Sequence, residues 1–266
     1  MFTLSLDNLS IGYGTYVVQS SLDLSLSGGQ MVCMLGKNGC GKSTLLRTMA
    51  GLQPALGGKV RLLQSDGGQT AEQDLVMMSQ SERARYLSLV LTERESMEST
   101  RVREIVAMGR FPYTNFMGKL TREDQHEIDR ALESVGLVDK ADHYFNRLSD
   151  GEKQRVLIAK ALAQTTPLIL LDEPTAHLDL INRIKIMLML SRMAHEQNKI
   201  VIVSTHELDL ALQIADRLWL MTPGSGVETG TAEQLTTSGA FQRAFADESF
   251  SFVSNNQQLS VVVNKG

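Results

Sequence analysis

The stretch MVCMLGKNGCGKSTLLRTMAGL, residues 31–52, decides the fold. Its first five residues form an unbroken apolar run, as expected of a strand buried on both faces. From Ser43 onward, apolar residues return at helical spacing through Leu52. Between the two lies GKNGCGKST (36–44), which matches the G-x-x-x-x-G-K-[ST] phosphate loop. Gly36, Gly39 and Gly41 let the backbone wrap closely and turn its N–H groups toward an anion. Lys37, Asn38, Cys40 and Thr44 complete the cradle. Lys42 places a charge on the β- and γ-phosphates of a nucleotide, and Ser43 offers a hydroxyl to Mg²⁺. An incidental glycine turn would not need this strand–loop–helix setting.

Outward from the loop, strands and helices alternate. Residues 2–6 and 22–26 alternate as half-buried strands, and 59–63 and 86–91 read as further strands. SDGGQTAEQD (65–74) reads as a polar loop. Residues 101–108 and 122–135 have helical spacing. Residues 167–171 and 199–204 are short apolar strands of the parallel-sheet type, followed by a helix at 208–215 and a strand at 217–221. The alternation argues for a parallel α/β core with a nearly all-helical insert over roughly residues 93–160.

PLILLDEP (167–174) ends a buried strand on two acids. Asp172 is placed to hold Mg²⁺ through its water shell, and Glu173 to orient and polarise an attacking water. Two solvated acids at a strand end would be the plain alternative, and the phosphate loop in the same chain weighs against it. VIVSTHE (201–207) is another buried strand, ending at His206. That is the carboxyl end, where open α/β sheets bind their ligands.

Composition narrows the class. A chain of 266 residues with 42% hydrophobic content suffices for one large domain, or for a core with a small subdomain. The net charge of −4 gives no basic excess for nucleic acid. Two cysteines, Cys33 and Cys40, make no secreted disulfide framework, and point to a reducing, cytosolic compartment. MFTLSLDNLS at the start lacks the basic region of a signal peptide. No apolar run approaches the ~20 residues that cross a bilayer.

LSDGEKQRVLIAKAL (148–162) reads as a helix with Ser149 as N-cap and Glu152 completing a capping box. Most such matches are only caps, but helix N-termini also bind anions. Placed just ahead of the strand that ends in Asp172 and Glu173, this helix start resembles the signature motif of ABC-transporter ATPases. The resemblance runs nearly the length of the chain, in order. It takes in the phosphate loop 36–43, the signature 148–152, the Walker B strand 168–173, a D-loop AHLD (176–179) ending in Asp179, and His206 as switch histidine. Tyr13, in IGYG, stands where the family places an aromatic on adenine.

The resemblance implies a single ABC ATPase domain over residues 1–266. This is an α/β P-loop NTPase core with a mainly parallel sheet, an N-terminal antiparallel β subdomain, and the helical subdomain inserted at about 93–160. It implies ATP and Mg²⁺ as cofactors, with Ser43 and Asp172 on the metal and Glu173 and His206 in catalysis. Two copies would meet head to tail, so that Ser149 and the backbone of Gly151 touch the γ-phosphate held by the phosphate loop of the second copy. The other expected partners are integral membrane permease subunits and, through them, a periplasmic or surface substrate-binding protein. The expected seat is the cytoplasmic side of the inner membrane.

Two departures from the family pattern stand out. Asp150 replaces the usual glycine and Glu152 the frequent glutamine, so both add negative charge near an anion site. RARYLSLVLTERESMESTRVREIVAMGRFPY (83–113) resembles the corresponding stretch of ATPases that import iron siderophores, haem and vitamin B12. In that register the family's Q-loop glutamine falls on Thr92, followed by Glu93, and Gln80 becomes a surface loop residue. Phe111, Pro112, Tyr113, Phe116 and Met117 form an apolar cluster in an apparent loop, which the family uses to meet the membrane subunit.

Rival readings leave different marks. Repair-type ABC ATPases insert a long coiled coil, but the stretch between Ser43 and Leu148 holds no heptads. Translation-type members carry two cassettes, and one is present here. A small-molecule P-loop kinase needs neither the signature helix nor the Asp-Glu pair. A catalytically impaired scaffold stays open at Asp150 and Thr92.

Overall fold

The structure is a computed structural model that describes residues 1–67, 69–91, 97, 99–115, 117–245, 250–255 and 258–263, the last two segments by their backbone alone. Strands β1 (Phe2–Tyr13), β2 (Tyr16–Ser27) and β3 (Gln30–Leu35) lead into helix α1 (Lys42–Met49). There follow β4 (Gly57–Asp66), β5 (Gln69–Asp74), a short α2 (Gln80–Arg83) and β6 (Leu87–Val90). Helices α3 (Val102–Ala107), α4 (Arg122–Ser134) and α5 (Asp150–Ala163) come next, then β7 (Leu168–Asp172), α6 (Leu180–Glu196), β8 (Ile200–Ser204), α7 (Leu208–Ile214) and β9 (Arg217–Thr222). The described chain closes with β10 (Gly226–Gly230), α8 (Ala232–Thr237), α9 (Ala240–Phe245) and a hairpin of β11 (Phe250–Asn255) and β12 (Gln258–Val263).

A six-stranded sheet in the order β10-β9-β3-β8-β7-β6 forms the centre, parallel throughout except for the β10–β9 edge. Its strands alternate between two apolar cores. Met31, Cys33, Leu35, Ile169, Leu171, Val201 and Val203 face the helices, whereas Val32, Met34, Leu168, Leu170, Ile200 and Ile202 face α1 and the second sheet. Both faces are buried, which is why these strands read as continuous apolar runs. The second sheet, β2-β1-β4-β5, is antiparallel. The register of the central sheet positions the site: Met34 pairs with Ser204, and Ser204 with Asp172, so β3, β8 and β7 end side by side at one edge.

Several elements differ from the expectations above. β1 and β2 run well beyond residues 2–6 and 22–26, because register shifts along the pair break the two-residue alternation that marks a strand. Most of the 65–74 stretch is strand and not loop. β4 continues to Asp66, and Gln69–Asp74 is an antiparallel edge strand. Residues 69–72 of it are exposed on every side, so no apolar pattern announces it. Gln80 is exposed as expected, but it opens α2 behind a Ser79 capping box and does not sit in a loop. Thr92 and Glu93 lie outside the described residues.

The chain after α3 also differs from the expected loop, since Met108–Tyr113 forms a 3₁₀ helix with Pro112 inside it. Tyr113 is held in place. Its hydroxyl donates to the Gln164 carbonyl at 2.9 Å, and the Arg110 guanidinium lies 4.1 Å from its ring centre. Arg110 is buried and donates to the Asp124 carboxylate (2.8 Å) and the Ala163 carbonyl (2.7 Å). Phe111 and Met117 are exposed, while Phe116 lies outside the described residues.

Candidate active site

The phosphate loop emerges from β3 and tightens around its own lysine. Lys42 Nζ donates to the carbonyl oxygens of Gly36 (2.8 Å) and Lys37 (3.4 Å) from inside the loop. Only glycine fits at position 36, where a Cβ would stand 2.5 Å from the Met221 carbonyl oxygen. α1 then begins at Gly41 with no acid in its first turn and no side-chain cap. A helix start of this kind suits a phosphate. Cys40 is buried, and burial pushes its thiol up, away from thiolate reactivity. Tyr13 is 53% exposed and sets its hydroxyl 3.1 Å from Thr44 Oγ1, beside the first turn of α1.

Asp172 sits at the end of β7, almost fully buried. One of its oxygens accepts from Ser43 Oγ (3.1 Å) and from Ser204 Oγ (2.5 Å). The Ser204 hydroxyl in turn accepts from the backbone N–H of Glu173 at 3.0 Å, so it links the two acids. Glu173 adopts a left-handed backbone, φ +47°, and its carboxylate lies 2.7 Å from His206 Nε2. Ser43, Asp172, Glu173 and His206 therefore converge at one sheet edge. Mg²⁺ binds few protein ligands and completes its octahedron from water and phosphate. A serine hydroxyl and a carboxylate within 3.1 Å beside a phosphate loop fit that demand. Among the described residues no cluster of three or more His, Cys, Asp or Glu offers a different metal centre.

A second group forms at the facing starts of α5 and α6. Ser149 caps α5 in a capping box: it accepts from the Glu152 N–H, and Glu152 accepts from the Ser149 N–H at 2.9 Å. Asp179 caps α6 and accepts from the Asn182 backbone (2.8 Å) and side chain (2.9 Å). The Asn182 bonds hold the Asp179 carboxyl below its ordinary range. The Asn182 amide also fills the space beside Gly151, where a Cβ would approach it to 3.0 Å. Ser149, Gly151 and Asp179 thus share a neighbourhood built on Asn182.

Sequence reasoning missed the residues that brace this arrangement. Gln19 is buried and donates to the carbonyls of Cys40 (3.0 Å) and Thr222 (2.7 Å), fastening the phosphate loop to β9. Ser204 links Asp172 to Glu173. Arg183 pairs with Glu207 (2.5 Å) and donates to Leu178 O (2.6 Å), joining the start of α6 to the segment after His206. Gln19 and Ser204 carry no motif. Only the tertiary structure shows what they touch.

The sequence profile of the ABC transporter family matches residues 20–176. The iron(3+)-hydroxamate import ATP-binding protein FhuC of Bacillus subtilis is 35% identical over 245 residues, 92% of this chain and 88% of its own. An ABC transporter assigned to the metal-chelate type, solved in an inward-facing conformation, aligns with a TM-score of 0.79 at 28% identity, over 98% of this chain and 96% of that one. A dimeric ATP-binding cassette in a post-hydrolysis state, bound to ADP and Pi, aligns with a TM-score of 0.68 at 25% identity, over 86% and 98%.

Proposed function

This chain belongs to the ABC transporter family of ATP-hydrolysing subunits, and from that premise we propose that it drives import of an iron–siderophore, haem or corrinoid, with iron chelates first. ABC ATPase subunits of importers act as dimers with membrane permease components. Here the two copies meet head to tail on the cytoplasmic side of the inner membrane, and a periplasmic or surface binding protein delivers the substrate to the permease. The iron-hydroxamate relative and the metal-chelate transporter support the substrate class. No helix among the described residues is long and apolar enough to cross a membrane, which supports a peripheral seat on separate permease subunits.

The convergence of Ser43, Asp172, Ser204, Glu173 and His206 carries the ATPase reading. In our reading the phosphate loop and Lys42 bind the β- and γ-phosphates, and Tyr13 stacks on the base. Ser43 and Asp172 hold Mg²⁺, which when bound neutralises charge on the β- and γ-phosphate oxygens. Glu173 orients and polarises the attacking water, so that ATP and water become ADP and phosphate. His206 steadies the Glu173 carboxylate and faces the γ-phosphate. The helical unit inserted in the single domain at about 93–160 contains α3, α4 and the start of α5, and that start brings Ser149 to the partner's nucleotide.

The test is direct. The purified chain is expected to hydrolyse MgATP, and Lys42→Ala to lose both nucleotide affinity and turnover. Reconstituted with its permease, the wild type should energise uptake of a ferric siderophore, haem or cobalamin. Undiminished turnover in Lys42→Ala would remove the phosphate loop from the site.

A further inference from the structure

The first turn of α5 carries two carboxylates, Asp150 and Glu152. Acids there favour the helix, because they meet the partial positive charge of its N-terminus. They work against the task given to this helix start above, since a carboxylate beside the N-terminal N–H groups repels an incoming phosphate. Glu152 is the more serious case. Its side chain folds back over the N-terminus, and one carboxylate oxygen takes the Ser149 N–H at 2.9 Å. The other oxygen is engaged by Lys140 Nζ, at the end of the 3₁₀ turn Val138–Lys140 that follows α4. Asp150 has a lysine as well, Lys153, at a looser 3.7 Å and with Asp150 half-exposed.

We propose that Lys140 is a positioning residue for nucleotide binding. It neutralises Glu152, so that the α5 N-terminus stays open to the phosphate of an ATP held by the second copy. The inference rests on the reading that Ser149 and Gly151 meet that phosphate. Without Lys140 the Glu152 charge stands uncompensated within a few ångströms of the Ser149 N–H. Even with the screening of bulk water, one unit charge at such short range shifts affinity for an anion by roughly 3- to 10-fold. The Asp150–Lys153 pair, more exposed and longer, contributes less.

The test is a charge cycle on the full chain, read as KM for MgATP and kcat separately. Lys140→Met should raise KM by roughly 3- to 10-fold with little change in kcat. Glu152→Gln, which leaves the Lys140 charge in place, should lower KM. Lys140→Met combined with Glu152→Gln should return KM to within about twofold of wild type. Lys140→Gln serves as a second variant if Lys140→Met does not fold by circular dichroism. A double variant as poor as Lys140→Met would make Lys140 a structural brace and overturn the proposal, as would a wild-type KM in both Lys140 variants. Ser149→Arg separates this from the parent reading. If Ser149→Arg is inactive while the Lys140 variants behave as wild type, only the present inference fails. If Ser149→Arg turns over normally, the phosphate contact itself is wrong and the inference falls with it.

Discussion

Glu173 shows how much one residue's backbone is constrained for its side chain. A left-handed conformation costs a non-glycine residue of order 1 kcal/mol. Here the Glu173 N–H donates to both the hydroxyl and the carbonyl of Ser204, at 3.0 and 3.1 Å, which offsets that cost and aims the carboxylate at His206. Glu173→Gln keeps the shape and removes the proposed base. It should bind MgATP, hydrolyse it at least ~10²-fold more slowly, and accumulate as an ATP-bound dimer on gel filtration. Near-normal turnover would take Glu173 out of the chemistry. Glu152 makes a prediction in pH. The Lys140 ammonium, aided by the Ser149 bonds, holds its carboxyl down from the ordinary 4.5 to about 2. A folded-state value below the unfolded one gives stability that is complete above about pH 4.5 and is lost as pH falls toward 2. The Tm advantage of wild type over Glu152→Gln should therefore be level above pH 5, shrink below 4.5 and close near 2. A gap independent of pH would mean that the ion pair contributes nothing.

Among the elements, the 3₁₀ helix Met108–Tyr113 divides its aromatic side chains by role. Arg110 is buried against Asp124 and the end of α5, and Tyr113 is fastened to Gln164, so this half belongs to the packing of α3, α4 and α5. Phe111, 62% exposed, and Met117, 79% exposed, have no such tie among the described residues, and we propose them as the apolar groups of this segment that meet a membrane subunit. Phe111→Asp should fold, keep its basal ATPase and fail to co-purify with the permease. Tyr113→Phe should instead lower stability by about 1 kcal/mol, the usual loss for one hydrogen bond, and still co-purify. Retention of the permease by Phe111→Asp would move the docking surface elsewhere on the helical unit.

Across the whole molecule, the site divides into two groups. One is built on the edge of the central sheet, around Asp172 and Ser204. The other is built on the facing starts of α5 and α6, around Asn182. In the head-to-tail dimer proposed above, each nucleotide would need the first group of one copy and the second group of the other. Lys42→Ala should disable the first and Ser149→Arg the second. Mixed chains should form heterodimers with one intact composite site and one doubly broken site, and recover part of the activity that neither homodimer has. Verified heterodimers with no recovered turnover would rule out a shared site.

The local chemistry was legible in the residues themselves. A phosphate loop, an apolar strand ending in two acids and a capping box are short-range patterns whose meaning does not depend on distant neighbours. Met31–Leu35 and Ile200–Ser204 announced themselves because parallel strands buried on both faces leave unbroken apolar runs. Gln69–Asp74 stayed silent because this exposed edge strand is held by backbone pairing and by polar side-chain contacts such as Arg61 to Glu72, and neither leaves the apolar alternation that marks a strand. Tyr113 and Phe111 stand two residues apart in one aromatic cluster, and only the position of Gln164, on the far side of the helical unit in sequence, separates anchor from surface. The same holds for Asp150 and Glu152. Read along the chain they are two acids at a proposed anion site, whereas in space Lys153 and Lys140 pair with them, and Lys140 reaches Glu152 only because the turn after α4 folds back onto the start of α5.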